Sequence, residues 1–407
     1  MGDLALVACT KTKRQVATHA SDLYVSPLFR KSLLAALDRC KQVRILSAKH
    51  GLLNPGDIVS PYEQTLKFMP AAERAAWGTR VAAQLASAAS PNDTLIFFTG
   101  DDYFKPLKST LLASGYRLQQ PLGRRSLGAR LQYLREINDE ALLKTMLIRF
   151  GQLMRQLARI QVGGRLLSQA TGRQPWPERG LYFVVEPVGP AGRDWITRVG
   201  THAVSAGSRT TLWDRISTHR GVAGHGGGSH RSSIFRSHVG RALGRRGDEA
   251  LPASWGVGQS APADVRASES LLERKVSSVI GDMRLLWLSV PDAAGPRSDR
   301  AYLERNIIGL LSRTNVLGIR PAPNSNWLGR ASVDWRIVTS GLWNLDHLFF
   351  RPDPRFLDVL EIYINIMGGK DAPREESLAP VDWACRPSHA NHEQLNLFET
   401  DNKLHGA

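Results

Sequence analysis

The chain has 407 residues, 42% of them hydrophobic and 22% charged. This is a globular composition, and it excludes a fibrous repeat or disorder over the whole length. Lys and Arg number 53 against 37 Asp and Glu, a net charge of +16, which points to a polyanionic partner with nucleic acid foremost.

A chain of this length is expected to hold two or three domains. Cys9, Cys40 and Cys385 lie too far apart in sequence for a disulfide framework or a Cys-based zinc site. No apolar run approaches the roughly 20 residues of a membrane span. The chain enters an apolar run at Leu4 with no basic segment before it. The expectation is a cytoplasmic, reduced, soluble protein with no membrane partner.

Residues 4–8, 43–46 and 94–98 are short apolar runs that read as buried strands, with helical patterns at 27–38 and 71–89 between them. This alternation predicts an α/β domain over 1–125 with a Rossmann-like parallel sheet. Functional groups on such sheets gather beyond the strand C-termini. Lys11, Lys13, Asp22 and Tyr24 follow the first run; Ser47, Lys49, His50 and Tyr62 follow the second; Asp101 and Tyr103 follow the third. That mixture suits a pocket for an anionic or base-containing ligand. The plainer reading is the polar fringe that borders any such sheet.

From 139 to 160, Leu143, Met146, Phe150, Leu153, Leu157 and Ile160 recur at three- and four-residue spacing, which predicts one amphipathic helix. Within a helical linker over 126–170, it is expected either to join two domains or to pair with its copy in a homodimer. Residues 151–270 carry 16 Arg, no Lys and eight acidic residues. Charge so concentrated is hard to assign to a merely solvated face.

Residues 180–185 and 196–201 read as two strands, followed by a helix from Thr211 on which Arg215 and His219 share a face. Further helices are expected near 271–280 and 299–313, with a strand at 284–290. Glu304 stands alone on an otherwise apolar helix face, and burying a carboxylate without a partner is costly. The plainer readings are a strand tyrosine that packs and a helix Arg and His that are solvated. Between 224 and 238, glycines and serines mix with His230, Arg231, Ser232 and Arg236, and Arg241 follows. Such a mixture suits DNA-backbone contact better than a metal, which the arginines would repel. Residues 340–347 read as a structural closure in which Trp343 packs and Asn344 or His347 is free for function. The polar tail, 369–407, is expected to be loosely ordered.

Two strands, a basic helix and a distant helical Glu resemble the GIY-YIG nuclease family. Gly180-Leu181-Tyr182 matches the first motif, Arg198-Val199-Gly200 the second, and Arg215 with His219 the Arg-x-x-x-His helix of restriction-enzyme members. Glu304 matches the metal ligand, and Asn324 or Asn326 the late Asn. The resemblance covers about 175–330, and it departs from the pattern where Arg198 replaces the second Tyr and His202 a common Lys or Ser. It implies an α+β nuclease domain, set at 175–368, with Tyr182, Arg198, Arg215, His219 and Glu304 catalytic. Glu304 would hold Mg²⁺ or Mn²⁺. A phenol acts as base only where cations draw off its proton, which Arg198 and Arg215 would do, with His219 as base or relay. Mg²⁺ commonly takes one or two carboxylates plus substrate phosphate.

The first half resembles small uncharacterised bacterial domains with a Ser-x-Lys-His-Gly-Leu signature, here Ser47 to Leu52. More distantly it resembles YaaA peroxide-stress proteins and a domain found beside tRNA-guanine transglycosylases. This implies handling of modified bases. In a glycosylase, Asp22 or Asp101 would stabilise the oxocarbenium and Lys49 or His50 would assist the leaving base. Tyr24, Tyr62 or Tyr103 would serve as the platform for a flipped base.

The combined expectation is a metal-dependent endonuclease on double-stranded, modified DNA, directed by its first domain and acting in antiviral restriction or repair. Two alternatives stand beside it. One is a nucleic-acid sensor that does not cut, and the other is a nucleotide- or base-processing enzyme with a DNA-binding second half.

Overall fold

The computed structural model describes residues 2–383 apart from 190, 192, 223, 225, 226 and 372–376. His225 of the glycine-rich segment, Cys385 and the tail from 384 lie outside the described residues. The chain divides into two compact units, with the boundary between Asn138 and Asp139.

The first unit runs β1 (Asp3–Ala8), β2 (Thr18–His19), α1 (Ala20–Leu23), α2 (Pro27–Arg39), β3 (Gln42–Ser47), β4 (Gly51–Leu53) and β5 (Ile58–Val59). It continues through α3 (Ala71–Ala86), β6 (Thr94–Phe98), α4 (Asp101–Ala113), β7 (Arg117–Gln119) and α5 (Leu127–Ile137). Its main sheet has the order β4-β3-β1-β6-β7. Strands β3, β1, β6 and β7 are parallel, and β4 folds back antiparallel on β3. Leu4 to Val7 and all of β6 are buried, as strands covered on both faces must be. Each fully buried Leu, Val, Ile or Phe here contributes about 1.5–3 kcal/mol. Ser26 caps α2 by accepting from the Phe29 amide, and Pro27 supplies its first turn.

Helix α5 belongs to this unit. It packs on α2, and the Asn138 side-chain amide donates to the Lys31 carbonyl at 3.0 Å. The expected 126–170 linker is therefore split between the units.

The second unit begins with α6 (Glu140–Ile160), β8 (Arg165–Leu166), β9 (Gly180–Glu186), β10 (Trp195–Gly200), α7 (Leu212–Arg220) and α8 (Ile234–Arg246). Then come α9 (Ala263–Gly281), β11 (Arg284–Ser289), α10 (Asp299–Val316), α11 (Trp335–Ser340) and α12 (Phe356–Met367). Its antiparallel sheet has the order β10-β9-β11-β8. Tyr182 and Val184 on one face of β9 share a core with Leu212, Ile216, Phe235, Val239, Leu272 and Val276 of α7, α8 and α9.

Helix α6 forms over the expected residues, but its apolar face is not free for a second copy. Leu143, Met146, Phe150, Leu153, Met154 and Leu157 are buried within the chain, where α6 packs on α10 and α12. Arg149 bonds Glu361 at 2.6 Å and Gln156 bonds Asn365 at 3.0 Å along this contact. The homodimer expectation loses its surface.

Part of the tail is bound as well. Asp299, at the start of α10, accepts from Tyr363 Oη, Ser377 Oγ and the amides of Leu378 and Ala379 at 2.6–3.0 Å. Among the described residues no helix is long and apolar enough to cross a membrane.

Candidate active site

The antiparallel register places Tyr182 of β9 between Gly200 of β10 and Trp287 of β11. Arg198 pairs with Val184, two residues along, so its side chain shares the Tyr182 face. Arg198 Nε donates to Tyr182 Oη at 3.2 Å, while Arg198 Nη1 is anchored on the Trp343 carbonyl at 3.0 Å. No Cβ could stand at Gly200 without overlapping the Tyr182 hydroxyl.

Helix α7 brings up the next two groups. Thr211 and Asp214 form a reciprocal capping box at its start. Leu212, Ile216 and His219 then point inward at helical spacing. His219 is buried, with Nε2 at 2.8 Å from Tyr182 Oη and Nδ1 at 2.7 Å from Ser233 Oγ. Burial, and then the charges of Arg198, Arg215 and Arg236, hold its pKa well below the usual histidine value. The ring is therefore neutral, with one nitrogen bare to accept a hydrogen bond. Arg215, one turn earlier, is half-buried and its Nε finds no partner.

Helix α10, almost wholly buried, delivers Glu304. One oxygen, Oε1, accepts from the Thr201 amide at 3.2 Å, just beyond β10. Burial pushes the carboxyl up to about 7, against the pull of Arg198, the Thr201 amide and Arg215, and nearby Asp346 adds to the push. Among the described residues no three His, Cys, Asp or Glu side chains cluster closely enough to hold a metal. The donor set still suits a hard divalent ion: Glu304 has a second carboxylate oxygen outside the Thr201 bond, and Asp346 is a second carboxylate close enough to act on it.

Other expected residues have different work. His202 is held as a neutral ring, donating from Nδ1 to the Thr210 carbonyl at 2.8 Å and accepting the Gly180 amide at Nε2 at 3.3 Å. Burial, helped by Arg300, Arg179 and Arg215, takes it to about 4 although the Thr210 bond opposes this. It braces the two motif strands. Asn324 and Asn326 do not reach the motifs: the Asn324 amide bonds Val188, at the far end of the β9–β10 hairpin. Asn344 is the residue that does. Its side chain exchanges two bonds, at 2.7 and 3.1 Å, with the backbone of Val199.

The phosphate-contact expectation for the 224–238 segment is overturned for its charged members. Arg236 is fully buried, bonds Glu273 through Nε and Nη2, and holds the carbonyls of His219 and Arg220. His230 donates to the same carboxylate, at 2.9 Å from Nδ1. Arg231 forks onto Glu269 at 2.5 and 2.8 Å. These donors are spent on carboxylates and carbonyls of the fold, where phosphate cannot reach them. Ser232 is exposed with its hydroxyl on the Ser229 carbonyl, and Arg241 is half-buried against Gly256.

In the first unit, part of the expected pocket assembles. Tyr24 Oη, Tyr62 Oη and Ser47 Oγ form a chain with links of 2.8 and 2.7 Å, ending on the His50 amide. Lys13 and Lys49 lie 4.4 and 5.9 Å from the Tyr62 ring centre, and His50 meets that ring edge-on. Tyr103 Oη lies 3.0 Å from Cys9 Sγ. The acids and Lys11 stay outside this cluster. Asp22 pairs with Arg14 at 2.6 Å, and Asp101 with Lys105 and Gln120. Lys11 is exposed and offers only its carbonyl to Lys13. Tyr24, Tyr62 and Tyr103 are buried, so none presents an open face as a platform for a base.

The residues that sequence reasoning missed are Ser233, Asn344 as the motif clamp, Thr201 and Asp346. Ser233 alone had a local signal, a serine directly before a helical pattern. Comparison with known proteins matches two family models to the chain. A family model described as a family of unknown function (DUF6884) matches residues 4–136. Among curated proteins and solved structures no match was found. A second family model, described as the GIY-YIG domain, matches residues 143–369 and supports a nuclease acting on DNA. With more than half its length so matched, the chain belongs to the GIY-YIG domain family.

Proposed function

We propose that the second unit is a divalent-metal-dependent DNA endonuclease whose reaction centre is Tyr182, Arg198, Arg215, His219 and Glu304. The observation that carries this reading is the Tyr182 hydroxyl, 2.8 Å from a neutral imidazole nitrogen and 3.2 Å from a guanidinium donor. Hydrolysis forms one P–O bond from water and breaks another to the sugar oxygen, which leaves as an alkoxide and takes up a proton from solvent. Tyr182 takes the water's proton as its own moves to His219 Nε2. Arg198 steadies the negative charge that develops on the phenol oxygen. Arg215, with Nε unclaimed, donates to a non-bridging phosphate oxygen. Glu304, with Asp346 nearby, would hold Mg²⁺ or Mn²⁺, which supplies Lewis-acid stabilisation of phosphoryl charge.

The first unit is read as the part that recognises a modified base and directs the cut, in antiviral restriction or repair. Recognition is favoured over excision by the positions of the acids. Asp22 and Asp101 are engaged with Arg14 and Lys105, while Lys13 and Lys49 face the tyrosine cluster. A sensor that binds DNA without cutting is the second reading, favoured by one feature: Arg198 stands where the motif's second aromatic is expected.

Cleavage of unmodified plasmid and of DNA with modified bases, with and without Mg²⁺, tests both units. Metal-dependent breaks confined to modified DNA support the whole reading, and alkali-dependent breaks would restore excision. Tight binding with no breaks in any substrate would favour the sensor.

A further inference from the structure

The buried residues of 229–238 stand behind the Tyr182–His219 pair. Ser233 is the N-cap of α8, accepting from the Arg236 amide at 3.2 Å, and it is almost fully buried. Its Oγ also lies 2.7 Å from His219 Nδ1. Arg236, three residues on, grips the carbonyls of His219 and Arg220, so the same turn fixes both the backbone and the ring of His219.

A neutral imidazole carries one N–H, and the position of that hydrogen decides whether the ring can relieve Tyr182 of its proton. With the hydrogen on Nε2, the ring donates to Tyr182 and no acceptor is left there. With it on Nδ1, the ring donates to Ser233 and the bare Nε2 accepts from the phenol. Each arrangement leaves one hydroxyl hydrogen unmatched, that of Tyr182 in the first and of Ser233 in the second. The phenol is the stronger acid, and Arg198 donating to its oxygen strengthens it further as a donor. The better donor therefore meets the better acceptor in the second arrangement. The groups facing the ring are Tyr182 from β9, Arg198 from β10, Arg215 from its own helix, and Arg236 and Phe235 from α8. The three guanidiniums oppose a charged ring, and of the two hydroxyls on it, those of Tyr182 and Ser233, the Tyr182 phenol is the stronger donor.

We propose that Ser233 is a positioning residue, which accepts the Nδ1 hydrogen of His219 and so keeps Nε2 open toward the Tyr182 hydroxyl. The inference rests on the nuclease reading for its consequence but not for its geometry.

Two measurements test it. The first is a ¹⁵N spectrum of the histidine rings in the full chain, with the His219 signals assigned by their loss in His219→Gln. The expected result is a protonated Nδ1 and a bare Nε2; a protonated Nε2 overturns the proposal whether or not the protein cuts DNA. The second is cleavage by Ser233→Ala and Ser233→Asp, with folding checked by circular dichroism. Ser233→Ala should cut about 10–100-fold more slowly at saturating DNA, with little change in KM, the usual cost of losing a group that orients an active histidine. Ser233→Asp keeps both the cap and the acceptor. It should retain most of the rate, with the acid limb of its pH profile moved upward because the added anion favours a protonated ring. Wild-type rates in Ser233→Ala, or equal loss in both folded variants, would overturn the role. Failure of the wild-type protein to cut counts against the nuclease reading alone, since the spectrum still decides the tautomer.

Discussion

Gly200 and Tyr182 face each other across adjacent strands so closely that no side chain fits between the glycine and the phenol hydroxyl. The glycine of the second motif is therefore a space requirement set by the tyrosine of the first. Replacing it with alanine drives a methyl group into the hydroxyl and displaces it from His219 and Arg198. Gly200→Ala should destabilise the fold by about 1–3 kcal/mol and slow cleavage by about 100-fold, the scale of a 1 Å misplacement. Urea denaturation and single-turnover cleavage on the same preparation check both.

Glu304→Gln separates metal chemistry from stability. The carboxyl is pushed up to about 7 in the folded chain, above its unfolded value near 4.5. Between those values the folded state binds the extra proton, so this group's contribution to stability falls as pH rises through 7. Removing the charge should abolish metal-dependent cleavage yet raise the metal-free Tm at pH 8. The two proteins should converge only below about pH 4.5, where the Glu304 carboxyl is neutral in both the folded and the unfolded chain. In wild type, activity should rise with pH through a limb near 7 that moves lower as metal is added.

The Arg236–Glu273 pair is buried, and Glu273 also holds His230. Burial pushes Glu273 upward, but the His230 and Arg236 bonds outweigh this and keep its carboxyl below the usual range. Glu273→Ala leaves a buried guanidinium without its anion and should cost about 3–5 kcal/mol. Arg236→Ala should likewise lower stability. Neither should reduce the salt dependence of DNA affinity, as loss of a phosphate contact would. Fluorescence-anisotropy titrations at several salt concentrations check this.

His202 and His238 are taken to about 4, and His219 well below its usual value, in each case by burial first. The unfolded chain binds these protons near 6.5 and the folded chain does not. Stability contributed by all three is therefore full above 6.5 and lost as pH falls toward 4. Nine of the ten tryptophans lie in the second unit, so their fluorescence during urea unfolding at pH 7, 5.5 and 4.5 should show a falling midpoint.

Strands and helices were legible wherever one period ran unbroken. The runs at 4–8, 94–98 and 180–185 became β1, β6 and β9 within a residue or so. The placement of Tyr182 on a strand and of Arg215, His219 and Glu304 on helices was legible because each stands at a fixed place in its own element. What stayed hidden was pairing across distance. Arg236 reads as a phosphate contact until Glu273 arrives from α9, 37 residues later. The α6 face reads as unpartnered until α10 and α12 cover it. Asn344 carries no local signal, since its partner is the Val199 backbone 145 residues earlier. Charge and amphipathicity are local properties, and what satisfies them is not.

Tyr182→Phe isolates the proposed role of Tyr182 in starting hydrolysis within this cluster. The variant keeps the ring and removes only the atom bonded to His219 and Arg198. Plasmid and modified DNA would be incubated with Mg²⁺ and either protein, after circular dichroism shows that both are folded. Breaks are expected with wild type, and a loss of about 10²–10⁴-fold with Tyr182→Phe, at unchanged DNA affinity. Cutting by a folded Tyr182→Phe at the wild-type rate would contradict that role.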